Sequence, residues 1–94
     1  MEEFTASPAA QVRYLVRRID ELARIEISEP VDFELAKKWG HQVKGNAESF
    51  GFPELTASGI ELEKFAEAKD TVKVRLLSHQ ILNSLRKLMK EVAP

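Results

Sequence analysis

The spacing of apolar residues constrains the fold of this chain more than any other sequence feature. In the last quarter, apolar residues recur at steps of three and four, at Val74, Leu77, Ile81, Leu85, Leu88 and Val92. Because a helical turn takes 3.6 residues, such steps place these side chains on one helix face. Alternation in steps of two occurs only at residues 24–27, which is too short to predict a strand. The pattern therefore predicts an all-α chain.

Capping residues and prolines divide the chain into four helical segments. The predicted starts carry a polar cap or a proline, at Ser7-Pro8, Asp32, Pro53 and Asp70-Thr71. Gly51 predicts the end of the second helix, at about Phe50. Connections of a few residues favour antiparallel packing of consecutive helices. We therefore expect an antiparallel up-down four-helix bundle over residues 7–94, preceded by a flexible N-terminal arm at residues 1–6.

Composition narrows the classes of function. The chain has 94 residues, 44% of them apolar, which is enough for one small domain, and it has no cysteine for disulfides or a thiolate metal site. Basic and acidic residues number 14 and 15, so a nucleic-acid partner is not expected. No apolar run approaches the roughly 20 residues that span a bilayer. The acidic start, residues 1–4, does not have the form of a signal peptide. These features predict a cytoplasmic protein that contacts no membrane.

His41 is predicted to face solvent. With about 100° per residue, the core-facing stripe of the second helix consists of Ala36, Gly40, Val43, Ala47 and Phe50. His41 lies roughly 140° from the centre of that stripe. The residues that share its outer face are Glu34, Lys37, Lys38, Lys44, Gly45 and Glu48. A cationic, uncrowded and exposed imidazole is suited to receive and hold a phosphoryl group, because imidazole is a good nucleophile near neutral pH.

The glycines mark the same region as unusual. All four lie between residues 40 and 59, and two of them, Gly40 and Gly45, fall within the second helix. A glycine inside a helix costs about 1 kcal/mol relative to alanine. Two such residues in one helix indicate that a close approach to the backbone is needed beside His41.

The segment from Gly40 to Glu63 resembles a known signature. It reads His41-x-Val43-Lys44-Gly45-Asn46-Ala47-x-x-Phe50-Gly51-Phe52-x-x-Leu55-x-x-x-Gly59-x-x-Leu62-Glu63. This pattern closely resembles that of histidine-containing phosphotransfer domains, the HPt family of phosphorelays, and it is similar to the first domain of chemotaxis-type histidine kinases. The remaining helices fit the family's bundle in number and length, so the resemblance covers nearly the whole chain. Gly40 is a departure, because the family more often has alanine there.

The resemblance implies roles for individual residues. His41 would be phosphorylated, Lys44 would help to hold the phosphoryl oxygens, and Gly45 would clear space for the docking partner. Glu63 matches a family position whose polar side chain can hydrogen-bond the imidazole. A carboxylate that accepts from Nδ1–H would fix the tautomer and leave Nε2 free to attack. The alternative for Glu63 is an ordinary solvated glutamate.

The expected function is phosphoryl relay. His41 would accept a phosphoryl group from the aspartyl phosphate of a receiver domain and pass it to another receiver, and the receiver would supply Mg²⁺. The chain has no carboxylate cluster and no phosphate-cradling glycine loop, so we expect no cofactor and no ATP binding. The resemblance to HPt domains implies a monomeric carrier. Whether such a carrier counts as an enzyme is left open. Docking would use the outer face of the second helix, with Lys37, Lys38, Gly45 and Glu48, together with exposed parts of the third or the first helix. Phe52 and Leu35 are candidates for an apolar docking patch, and the alternative for either is a place in the core.

Two other functions fit parts of the sequence. A helical interaction module without chemistry explains the periodicity but leaves Lys44-Gly45 unexplained. A phosphoacceptor domain of a chemotaxis-like kinase, with a histidine kinase as partner, is favoured by Glu63, whereas the starting Met1 and the long fourth helix favour a standalone protein. A metal site is not expected, because His41 and His79 have no ligand partners at suitable spacing. His79 is expected to be a half-buried bystander beside Leu76 and Leu82.

Overall fold

The computed structural model describes residues 6–93, and these residues form four α-helices and no strand. The helices are α1 (Pro8–Ile27), α2 (Phe33–Asn46), α3 (Glu54–Glu67) and α4 (Thr71–Val92). The all-α prediction with four helices is confirmed. The predicted flexible arm lies outside the described residues except for Ala6, which is buried.

Side-chain caps begin three of the helices. The hydroxyl of Ser7 accepts from the Ala10 backbone N–H, which caps α1. The Asp32 and Asp70 carboxylates accept from N–H groups 3.0 Å away and cap α2 and α4. Each cap satisfies a backbone donor that has no partner within its own helix. The predicted starts of these helices are confirmed, and Pro53 stands immediately before α3.

The end of α2 differs from the prediction. The α-helix stops at Asn46 rather than at about Phe50, and Glu48–Phe50 form a separate 3₁₀ turn. In this turn the Phe50 ring stacks on Tyr14 of α1, with ring centroids 4.2 Å apart. Gly51 then adopts a left-handed conformation, with φ of 90°, which is readily accessible only to glycine. The stacking contact explains why the chain leaves α-helical geometry before the glycine.

The core lies between two helix pairs. α2 packs mainly against α3, and α1 packs mainly against α4. The inner face of α3 consists of Leu55, Gly59, Leu62 and Ala66, which are all buried. Trp39 of α2 is also buried, and its indole Nε1 donates to the Arg18 carbonyl of α1 at 3.2 Å. These contacts join the two pairs into one core.

The contact between α2 and α3 depends on two glycines. A Cβ at Gly40 would lie 2.5 Å from the Gly59 carbonyl oxygen, and a Cβ at Gly59 would lie 2.8 Å from the Gly40 carbonyl oxygen. Both separations are far below van der Waals contact, so neither position accepts a side chain unless the helices move apart. The departure from alanine at Gly40 is therefore required by this crossing.

Within residues 6–93, no helix is both long enough and apolar enough to cross a membrane.

Candidate functional site

His41, Lys44 and Glu63 come together on the outer side of the α2–α3 contact. Lys44 Nζ donates to Glu63 Oε1 at 2.7 Å. His41 Nδ1 lies 3.3 Å from the other carboxylate oxygen, Oε2. The Lys44 contact is the tighter of the two, since 3.3 Å is longer than the usual separation for a hydrogen bond that a ring N–H donates to an oxygen. Glu63 thus contacts Lys44 with one carboxylate oxygen and lies beside His41 with the other, and it is not an isolated solvated glutamate.

The glycine contact positions these side chains. His41 follows Gly40 in α2, and Glu63 lies one turn after Gly59 in α3. Because a Cβ at Gly40 would also lie 2.8 Å from the Glu63 backbone nitrogen, the two backbones are in near contact beside the imidazole. A larger residue at Gly40 or Gly59 would separate the helices and move the carboxylate away from His41. Gly40 therefore affects the chemistry of the site through packing.

The local electrostatics keep the Glu63 carboxyl ionised. The hydrogen bond from Lys44 is the largest influence, and it lowers the pKa of Glu63 below its ordinary value of 4.5. Partial burial opposes this shift, while the Lys44 charge and the contact with His41 add to it. At neutral pH the site therefore presents a carboxylate to Nδ1 of the imidazole.

The His41 ring is open to solvent. Its side chain is 70% exposed, whereas that of Glu63 is only 15% exposed. When Nδ1–H donates to the carboxylate, the lone pair of the neutral ring is on Nε2. The arrangement can hold the ring in one tautomer while Nε2 is available to an external electrophile.

Gly45 has no packing role within residues 6–93. A Cβ built at Gly45 meets no atom within 4 Å, and the residue is exposed. Gly40 and Gly59 are explained by the helix crossing and Gly51 by its positive φ, so Gly45 alone lacks an internal reason. The predicted close approach to the backbone beside His41 is therefore observed at Gly40, where the α3 backbone contacts α2. At Gly45 the space beside the backbone is open to solvent.

The predicted binding residues separate into those near His41 and those elsewhere. Lys37 and Lys38 line a shallow depression of about 400 Å³ together with His41 and Glu63. Glu34, which was not predicted as a site residue, lines it too. Its position seven residues before His41, on the same helix face, is the sequence signal that could have identified it. Glu48 is exposed in the 3₁₀ turn, beyond the end of α2, and does not line this depression.

The predicted apolar docking patch is not formed by its two candidates. Phe52 is buried in the core, where its ring lies 6.1 Å from the Tyr14 ring, so of its two alternatives the place in the core is the one observed. The chain reversal at Gly51 turns Phe52 inward. Leu35 is half-buried against the core and lines a different depression, between α1 and α2.

The predicted half-burial of His79 is wrong, while its predicted role as a bystander stays a prediction. Its side chain is 63% exposed rather than half-buried, and Nδ1 lies 2.8 Å from Glu26 Oε2. The partner belongs to α1, 53 residues away in sequence, so no local pattern indicated it. Among residues 6–93, no group of three or more histidine, cysteine, aspartate or glutamate side chains is arranged to hold a metal ion.

Comparisons with protein-family models, with curated proteins and with solved structures found no match to this chain.

Proposed function

We propose that this chain is a histidine phosphotransfer protein of a two-component phosphorelay, with its helices arranged as an antiparallel up-down bundle and His41 as the phosphorylated residue. One observation carries the proposal: Glu63 contacts Lys44 Nζ with one oxygen and lies beside His41 Nδ1 with the other, while the imidazole is exposed. The signature from Gly40 to Glu63, which resembles that of HPt domains, supports the same function.

The proposed step is transfer between an aspartyl phosphate and the imidazole. The lone pair on His41 Nε2 attacks phosphorus, an N–P bond forms, and the acyl P–O bond breaks, so that the partner's aspartate leaves as a carboxylate. The Nδ1 proton stays on the ring, where Glu63 stabilises the positive charge that develops during attack. The same step run backwards delivers the phosphoryl group to a second receiver.

Lys44 has two roles in this proposal. In the free protein it donates to Glu63 and neutralises part of that carboxylate's charge. Its side chain is also 39% exposed, which leaves donors available for phosphoryl oxygens above the ring. The receiver would supply Mg²⁺, and the open space at Gly45 would admit its surface. The carrier would act in the cytoplasm as a monomer that docks partners through the face bearing Lys37 and Lys38.

A second candidate is the phosphoacceptor domain of a chemotaxis-like histidine kinase. The observation that favours it is that the residue beside Nδ1 is a carboxylate, Glu63, which resembles the kinase version of the signature rather than the glutamine of some relay domains. In this case an ATP-bound kinase domain would be the donor. The chemistry at His41 is the same, so the two candidates differ in the donor alone.

A labelling experiment tests the proposal. The protein is mixed with a set of receiver domains, each phosphorylated by a small-molecule phosphodonor, and acid-labile, alkali-stable phosphate is followed on wild type and on His41→Gln. We expect label on wild type alone. If receivers fail and an ATP-dependent kinase domain labels His41, the second candidate is supported. If neither donor labels the protein, the interaction module without chemistry becomes the better account.

A further inference from the structure

A second polar depression lies between α1 and α2, beside the His41 site. It has a volume of about 320 Å³ and is lined by Arg17, Arg18, Lys38, Trp39 and Asn46, among others. A neighbouring depression shares Arg17, Arg18 and Asn46 and extends to Arg13 and Tyr14. We call the two together the α1–α2 groove. Lys38 also lines the His41 depression, so the groove and the His41 site share one cation.

Arg18 is a buried cation with unused hydrogen-bonding capacity. Its side chain is only 7% exposed, and its Nη2 pairs with Glu21 Oε1 at 3.0 Å. Its Nε and the Oε1 of Glu21 are both buried, and neither has a hydrogen-bond partner among residues 6–93, so this ion pair leaves both groups with unused hydrogen-bonding capacity. The guanidinium also lies 5.3 Å from the centre of the Tyr14 ring, which helps to fix its plane. Because buried guanidinium donors are normally paired, the unpaired Nε leaves Arg18 with capacity to bind a further acceptor in the groove.

Asn46 adds a fixed donor to the groove. The Tyr14 hydroxyl donates to Asn46 Oδ1 at 2.7 Å, which leaves the amide NH₂ group as the free end of that side chain. Burial raises the pKa of Tyr14 to about 12, so the hydroxyl remains protonated and continues to donate across the physiological range. The groove thus offers a guanidinium, an amide donor and an ammonium group.

The charge of the groove differs from that of the chain. Four basic side chains line it, those of Arg13, Arg17, Arg18 and Lys38, against one acidic side chain, that of Glu21. The whole chain has 14 basic and 15 acidic residues. Folding therefore concentrates positive charge here, which the net charge of the sequence does not indicate. A concave surface of one sign attracts ligands of the opposite sign.

We infer that the α1–α2 groove is a binding site for an oxyanion group, a carboxylate or a phosphate, held by Arg17, Arg18, Lys38 and Asn46. The fork of an arginine suits both groups, because each presents two oxygens in the geometry of its donors. The group belongs either to a free small anion or to an acidic side chain of a protein. The site does not depend on phosphotransfer at His41.

The test uses the ¹⁵N-labelled full-length protein and three probes. Inorganic phosphate, succinate and a blocked tri-glutamate peptide are titrated at pH 7 and constant ionic strength, with sodium chloride as the reference salt. The reporters are the indole N–H of Trp39, the one tryptophan of the chain, and the Nε–H signals of Arg17 and Arg18. We expect at least one probe to shift these signals saturably. Tighter binding of the peptide identifies a protein carboxylate as the source, and tighter binding of phosphate or succinate identifies a free anion.

Two matched variants make the test specific. Arg17 is 77% exposed and contacts Glu21 four residues later, and Arg24 of the same helix is 71% exposed and contacts Asp20 four residues earlier. Arg17→Gln should weaken binding about tenfold, because it removes one charge-assisted contact. Arg24→Gln, which removes the same charge away from the groove, should change it less than twofold. No saturable shift with any probe, or equal weakening by both variants, would overturn the inference.

Discussion

The chain carries two histidines, and both have a carboxylate beside Nδ1. His41 of α2 pairs with Glu63 of α3, and His79 of α4 pairs with Glu26 of α1. The two rings are similarly exposed, at 70% and 63%. Exposure and a carboxylate partner therefore do not distinguish the proposed phosphoacceptor from the other histidine.

The surroundings of the two rings do distinguish them. Three residues after His41 lies Lys44, which donates to the same carboxylate, whereas the residue three after His79 is the buried Leu82. Four residues after His41 lies Gly45, with open space above it, and the corresponding residue after His79 is an exposed asparagine.

Within residues 6–93, the basic residue one turn before His79 in α4 is already engaged in other contacts. The nearest basic residue one turn earlier in α4 is Arg75, and its guanidinium donates to the Glu26 and Ser28 carbonyls and to Glu29. These contacts tie α4 to the end of α1 and the following loop. We infer that a carboxylate orients a ring, whereas a nearby cation and a clear approach make the ring suitable for phosphoryl transfer.

The largest expected effect is on labelling itself. Replacing His41 with glutamine should abolish phosphoryl transfer from a receiver, because no other ring combines a free Nε2 with a neighbouring lysine and an open approach. His79→Gln should be labelled as fast as wild type within a factor of about two. Acid-labile phosphate on the two variants, measured with the same donor, gives the result. Equal loss in both variants would remove the distinction between the two sites.

The next largest effect is expected on the free energy of unfolding, when Gly40 or Gly45 is replaced by alanine. Gly40→Ala should destabilise the protein by about 3 kcal/mol, because its Cβ would overlap the α3 backbone. Gly45→Ala should stabilise it by about 1 kcal/mol, since the new Cβ meets no atom and alanine is the better helix former. Denaturant unfolding of both variants measures the difference. If Gly45→Ala is stable but is labelled slowly by receivers, the open space beside Gly45 is needed for the receiver to dock. Unchanged labelling would show that docking does not need this space.

A smaller effect is expected when the orienting carboxylates are removed. Glu63→Ala should slow phosphoryl transfer by about 10–100-fold, the usual cost of losing a group that orients a reactive imidazole. Glu63→Gln should recover part of the rate, because an amide oxygen still accepts from Nδ1–H. Glu26→Ala, the equivalent change beside His79, is the control and should leave the rate unchanged. Single-turnover transfer rates at saturating receiver separate this effect from docking. A Glu63→Ala rate equal to that of Glu26→Ala would contradict the role given to Glu63.

The smallest expected effect is the pH dependence of stability at the His41 site. The pKa of Glu63 is lowered by folding, chiefly by the hydrogen bond from Lys44, so the ionised carboxylate favours the folded state. Its contribution is fully present above the ordinary value of 4.5 and is lost as pH falls through the lower, folded-state pKa. The free energy of unfolding of wild type should therefore fall relative to that of Glu63→Gln as pH is lowered from 5 to 3. Denaturant unfolding of both proteins at each pH measures this difference. A difference that is constant over this range would show that Lys44 does not stabilise the carboxylate.

Local features of this chain could be predicted from its sequence. The caps at Ser7, Asp32 and Asp70 depend on residues within a turn of one another, and all three are confirmed. The placement of Glu63 beside His41 was expected only from the resemblance to HPt domains, since 22 residues separate the pair in sequence. Its physical cause, the contact of Gly40 with Gly59, requires both helices at once.

Features that depend on distant residues were missed. The early end of α2 results from stacking between Phe50 and Tyr14, and the exposure of His79 accompanies its pairing with Glu26. The positive charge of the α1–α2 groove arises because two helices bring their basic residues together. Helical periodicity assigns a residue to a face of its own helix but does not identify the helix that packs there.

The most direct test of the account is the position of the phosphoryl group in the phosphorylated protein. Nuclear magnetic resonance of ¹⁵N-labelled, phosphorylated protein detects which imidazole nitrogen is coupled to ³¹P, and signals missing in His41→Gln or His79→Gln assign the ring. The account predicts a single phosphohistidine, at His41, with phosphorus bonded to Nε2 and a proton on Nδ1. Phosphorus on Nδ1 of His41, or on either nitrogen of His79, would contradict it.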